Sequence, residues 1–175
     1  GDDKKIIVSA ANIRFEEACV LFNVAASYIQ LAGMESKSTS EGLKKACNYY
    51  MQAAGVFQYI CDSLTSNFDV PTPADVSPVS LNFLLKWSLA AAQECFVVKG
   101  IIEKSIKDGM LSKLSLATGQ MYETARELGE ELGIGSIFGK MLSAYLLGRA
   151  TYYKALAQVK KSAEALNSNH YGEEI

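Results

Sequence analysis

The sequence predicts an all-α protein built from stacked antiparallel helical hairpins, in the manner of a TPR-like α-solenoid. Three observations carry this. Apolar residues recur at three- and four-residue spacing through five long segments. The prolines, Pro71, Pro73 and Pro78, all fall in one short stretch, so none interrupts a helix after it. The connections are short and the segments long, the pattern of hairpins stacked in a row.

The lead-in Lys4–Ser9 is too short to assign. The first helix is expected over 13–32, with Phe15, Ala18, Cys19, Phe22, Ala25, Ala26 and Ile29 on one row and Leu21, Val24, Tyr28 and Leu31 on a second. Apolar on two faces, it is expected to be covered on two faces. Its uncharged run, Ala18–Met34, contains Asn23, Ser27 and Gln30 and falls short of the roughly 20 apolar residues of a membrane span, so it reads as a buried core helix. A polar turn over 33–40 follows, where Ser38 and Glu41 stand in capping-box relation. The second helix, 39–66, carries Leu43, Cys47, Tyr50, Ala54, Phe57, Cys61 and Leu64 on one side.

The proline-bearing loop 67–77 ends at Ser77, an N-cap oxygen, with Pro78 in the first helical position. The third helix, 78–104, runs through Leu81, Leu84, Leu85, Ala91, Ala92, Cys95 and Val98. The fourth, 107–128, carries Met110, Leu114, Ala117, Met121, Ala125 and Leu128. After a turn with Gly129, Gly133 and Gly135, the fifth covers 136–166, its stripe Phe138, Leu142, Tyr145, Gly148, Tyr152, Ala155, Val159, Ala163 and Leu166. The 175 residues form a single helical domain, expected to be an internal piece of a larger one because the chain lacks an initial Met and ends as though entering another helix.

Composition excludes several functions. Apolar residues at 49% and charged residues at 21% are globular averages. Seventeen basic against nineteen acidic side chains give a net charge of −2, without the basic excess of a nucleic-acid binder. The single histidine, His170, lies in a polar terminal tail, so His-based metal sites and catalysis are not expected. Cys19, Cys47, Cys61 and Cys95 have no C-x-x-C spacing and read as buried free thiols. The Gly133–Gly139 string has the wrong last spacing and no preceding strand for a phosphate loop. Glu123, Glu127, Glu130 and Glu131, with Arg126 beside them, read as a solvated face. Cys95 next to Glu94 has no histidine to activate it. Of Tyr152 and Tyr153, and of Tyr49 and Tyr50, one ring is expected inward and one outward. No catalytic residue, metal or cofactor is assigned.

One stretch stays open. From Phe96 to Leu114 the chain mixes Phe96, Val97, Val98, Ile101, Ile102, Met110, Leu111 and Leu114 with Lys99, Lys104, Lys107 and Lys113. It is either a hairpin corner with its apolar residues inward or an exposed apolar strip rimmed by positive charge, which suits an amphipathic acidic helix. Both readings require the same spacing.

Several strings are more specific. Phe15-Glu16-Glu17-Ala18-Cys19-Val20-Leu21-Phe22-Asn23 resembles a signature of the Bro-one domain family of Alix-like ESCRT accessory proteins. In register follow Glu41-Gly42-Leu43-Lys44, Ala53-Ala54-Gly55-Val56-Phe57, Pro71, Ser77-Pro78, Ala92-Gln93-Glu94-Cys95-Phe96, Lys107-Asp108-Gly109 and Tyr171-Gly172-Glu173-Glu174-Ile175. The resemblance covers nearly the whole chain and the middle of the family's domain. It implies a boomerang-shaped, non-catalytic scaffold of stacked hairpins that is cytoplasmic and recruited to endosomal membranes. It also implies a partner, the amphipathic C-terminal helix of an ESCRT-III core filament subunit, docked on a concave apolar patch. Carried over by position, the patch comprises Phe96, Met110, Leu111 and Leu114, with Lys44 and Lys99 as charge partners. Ser40 stands where Alix-like members carry an acidic residue and Asn48 where they carry a lysine, and the 99–107 segment is one residue longer. Two other functions compete: a Bro-type module in a different setting, as small-GTPase effector or arm of a larger phosphatase, and an enzyme of unrecognised type, which would need a deep polar pocket.

Overall fold

The computed structural model describes residues 13–65, 74–131 and 140–167, and among these it is helical apart from the short turns between helices, without a strand. Five helices follow one another: α1 Ile13–Met34, α2 Ser40–Tyr59, α3 Pro78–Ile102, α4 Asp108–Glu131 and α5 Lys140–Asn167. The expected lead-in, most of the proline loop, the glycine turn 133–135, Phe138, His170 and the last residues lie outside the described residues. Each helix packs mainly on its neighbours in sequence, giving the expected row of antiparallel hairpins.

Small residues set the spacing. Ala18, Ala25 and Ala32 recur every seventh position of α1 and are buried, letting α2 approach closely, while Phe22 meets Phe57 edge-on at 5.7 Å and Tyr28 stacks on Tyr49 at 6.1 Å. Thr39, not Ser38, caps α2, its hydroxyl accepting from the Gly42 N–H at 3.2 Å. Gly42 is required there, because a Cβ would sit 2.2 Å from the Ser36 carbonyl oxygen. The expected continuation of α2 is a π turn, Ile60–Leu64, which keeps Ile60 and Leu64 buried. Ser77 caps α3 as expected, accepting from the Ser80 N–H at 3.2 Å, with Pro78 beside it.

α3 ends in a Schellman motif. Ser105 N–H donates to the Gly100 carbonyl and Lys104 N–H to that of Ile101, with Lys104 at φ 52°. That stop leaves Glu103 as the C-cap residue, beside the start of α2.

Two expectations about faces are corrected. α1 is not covered on both sides: Val20 is 62% exposed, and Val24, Leu31, Ile13 and Met34 also face outward, because among the described residues it packs mainly on α2, with the short turns 60–64 and 74–76 beside it. By length and composition α1 would also suit a membrane span, but its alanine seam is docked on α2. On α5 the buried positions are Leu146, Ala150, Tyr153, Ala157 and Ala165, while Tyr145, Tyr152, Val159 and Leu166 of the expected stripe are exposed. The buried face meets α4 where Gly119 approaches the Ala150 carbonyl so closely that a Cβ would stand 3.0 Å from it, with Leu146 and Tyr153 packed on either side. The Tyr152–Tyr153 division holds, with Tyr153 inside, whereas Tyr49 and Tyr50 are both half-buried. All four cysteines are free thiols, but only Cys95 is buried; Cys19, Cys47 and Cys61 are half-buried.

Candidate protein-interaction site

Between α2 and α3 lies an open groove of about 500 Å³. Its apolar floor is Leu43, Cys47 and Cys95, which belong to a small buried cluster with Ala32, Ala46 and Val98. These residues come from i, i+3 and i+4 positions on facing helices, so the floor follows directly from helical spacing. Two large apolar side chains rise from it into solvent: Phe96 on α3, 48% exposed, and Met51 on α2, also exposed. Lys44, Lys45 and Lys99 line the same groove, with Glu41 and Asn48.

Burial pushes the Cys95 thiol up to about 11 and raises that of Cys47, so both are protonated at neutral pH and neither is an activated nucleophile. Glu94 turns away from Cys95. It accepts a hydrogen bond from the Tyr122 hydroxyl at 2.5 Å and pairs with Arg149 at 3.3 Å, tying α3 to α4 and α5. Glu123 pairs with Lys154, and Arg126 with Glu130. No group of three or more metal-ligating side chains occurs among the described residues.

The structure brings Phe96, Lys99 and Lys44 into one groove. Met110, 55% exposed on α4, presents an apolar side chain to solvent but is not among the groove's lining residues. Leu111 does not face solvent. At 2% exposure it belongs to the core, because the α4 face with Leu111, Ser115, Thr118 and Tyr122 is the one turned inward. Leu114 is half-buried and packed against the main core. Met51 and Lys45 went unrecognised in the sequence. For Met51 the signal was its i+7 relation to Lys44 and i+4 relation to the floor residue Cys47 on the same helix; Lys45 carried no such signal.

A row of helical hairpins carrying an apolar, lysine-rimmed groove defines an all-helical domain with an open candidate binding surface. Residues 3–175 match the BRO1-like domain, and the chain belongs to that family of scaffold domains. It is 33% identical over 96% of its length to the pH-response regulator protein palA/RIM20 of Emericella nidulans, covering 19% of that protein. It is 32% identical to the ALG-2 interacting protein X of Dictyostelium discoideum, over 94% of this chain and 20% of that one. Among solved structures, the chain named in an ALIX BRO1 CHMP4C complex superposes with a TM-score of 0.88 at 29% identity, over 95% of this chain and 46% of that one. The chain thus spans about a fifth of the curated relatives it matches.

Proposed function

We propose that this chain is a non-catalytic scaffold that takes the amphipathic C-terminal helix of an ESCRT-III core subunit, acting in endosomal sorting and multivesicular-body formation. It is cytoplasmic and reaches the endosomal membrane through its partners. The groove between α2 and α3 carries the reading. An apolar floor with Phe96 standing above it suits a helix's apolar stripe, and Lys44, Lys45 and Lys99 suit acidic flanks. The ALIX BRO1 CHMP4C complex supports it, since that related domain is recorded with a partner. Phe96 and Lys44 are the first contacts, Lys99 lines the same groove, Met110 extends the apolar surface on α4, and Leu111 and Leu114 support it from the core side. A second setting, the arm of a larger phosphatase, is favoured by 25% identity to the mouse tyrosine-protein phosphatase non-receptor type 23, of which this chain covers 10%.

The test is fluorescence anisotropy with a labelled peptide of the CHMP4C C-terminal helix, run beside circular dichroism. Phe96→Asp and Met110→Asp should keep full helicity, since both side chains are largely exposed, and should each weaken binding by about 2 kcal/mol or more. Lys44→Ala should cost about 1 kcal/mol or less and fade as salt is raised. Unchanged binding in Phe96→Asp, or a parallel loss of helicity and binding, overturns the reading.

A further inference from the structure

Lys99 lines the groove, yet its ammonium is already engaged. Its Nζ lies 2.8 Å from Oε2 of Glu103, one turn later on α3. The other carboxylate oxygen of Glu103 accepts a hydrogen bond from the Ser40 hydroxyl, at the first turn of α2. The Lys104 backbone, in the left-handed region, ends α3 with Glu103 as its C-cap residue, one turn after the groove-lining Lys99. Its carboxyl is held below the usual range chiefly by the hydrogen bond from Lys99 and then by that from Ser40, so it is ionised at neutral pH. No ion pair to Lys44 or Lys45 is found among the described residues, so the groove's cations are of two kinds, two unpaired and one paired internally.

We propose that Glu103 is a specificity-determining residue of the groove: a built-in carboxylate that occupies Lys99 and must be displaced before an acidic side chain of the partner helix reaches it. The inference rests on the function proposed above and concerns how that same site selects its partner. A carboxylate on the incoming helix gains from Lys99 only the difference between its own pairing and that of Glu103, which is pre-positioned by Ser40 and loses little side-chain freedom in pairing. The groove therefore draws its charge selectivity from Lys44 and Lys45, while Lys99 is held in reserve. Glu103 is also held by a hydrogen bond from Ser105, so a partner carboxylate that binds both Lys99 and Ser40 takes over two of its three ligands, and only such a helix gains the third contact.

The experiment is a double-mutant cycle on the full chain, using Glu103→Gln, Lys99→Ala and the double variant with the CHMP4C C-terminal helix peptide. Affinities are read at about 50 and 300 mM salt, where the Debye length is about 14 and about 6 Å. Glu103→Gln should bind about threefold tighter than wild type at low salt, as expected for freeing one exposed ion pair. Lys99→Ala alone should change affinity less than twofold, and in its background Glu103→Gln should gain nothing. At high salt the gain should shrink. Glu103→Gln binding like wild type overturns the competition while leaving the proposed function standing. A gain of equal size in the Lys99→Ala background also overturns it, because Glu103 would then act by general repulsion. Absence of binding in every variant overturns the proposed function and the competition with it.

Discussion

Tyr122→Phe tests how the hairpins are held together behind the groove. Tyr122 is fully buried, and its hydroxyl donates at 2.5 Å to a Glu94 carboxylate whose other oxygen holds Arg149 at 3.3 Å. The substitution removes one oxygen and opens no cavity. The ring keeps its stack on Tyr153 at 6.3 Å and its edge contact with Tyr145 at 6.5 Å. What is lost is a hydrogen bond to a charged acceptor, about 1.5–3 kcal/mol, and the side chain of Glu94, only 16% exposed, has little water with which to replace it. A destabilisation of about 2 kcal/mol is expected, equivalent to roughly 4–8 °C in Tm for a chain of this size. Urea unfolding followed by circular dichroism should show a lower midpoint with an unchanged slope, the mark of a change in stability alone. Tyr152→Phe, on the exposed neighbouring ring, should stay within about 0.5 kcal/mol of wild type. If Tyr122→Phe is equally silent, the Glu94–Tyr122–Arg149 tie does not stabilise the fold.

Two further outcomes follow from the packing. Gly119→Ala should destabilise by about 1–2 kcal/mol in thermal unfolding despite the better helix propensity of alanine, because the new methyl would stand 2.9 Å from the Lys154 Cγ and 3.0 Å from the Ala150 carbonyl; a rise in Tm would show that α4 and α5 can separate freely. Stability should also decline from about pH 10 toward pH 12. Burial raises the Tyr50 hydroxyl to about 12 and raises those of Tyr122 and Tyr153 further, so the unfolded chain loses protons that the folded one keeps; the stability is complete below pH 10 and is lost as pH rises through the folded values. A flat profile in urea midpoints from pH 9 to 11.5 would contradict the burial of these rings.

The two faces that stand open show where periodicity stops being informative. On α1 and α5 apolar residues lie on more than one side, and the spacing rules score every side alike. On α1 the alanine seam is buried while Val20, Val24 and Leu31 remain outside, and on α5 Ala150 and Ala157 are buried while Tyr152 and Val159 remain outside. On α1 the face with the smaller side chains won, whereas on α5 the buried face combines Ala150 and Ala157 with Leu146 and Tyr153, so size alone did not decide it. Two helix backbones that approach closely bury more surface and leave fewer voids than two held apart by bulky rings.

The sequence by itself determined the class of fold, the five helices to within a few residues, the Ser77–Pro78 start of α3 and the family. These rest on local causes, since proline geometry, capping oxygens and apolar spacing act within one or two turns of chain. It also placed Phe96, Lys99 and Lys44 among the candidates, through strings whose order is specific. It did not distinguish Met110 from Leu111, adjacent residues of similar apolar character. One is more than half exposed and the other buried, because which side of α4 meets α3 and α5 is set by the packing of all three helices at once. Nor did it show that Lys99 is already paired. The tie from Lys99 through Glu103 to Ser40 joins residues 63 positions apart, and only the folding of α2 against α3 brings that serine to that carboxylate.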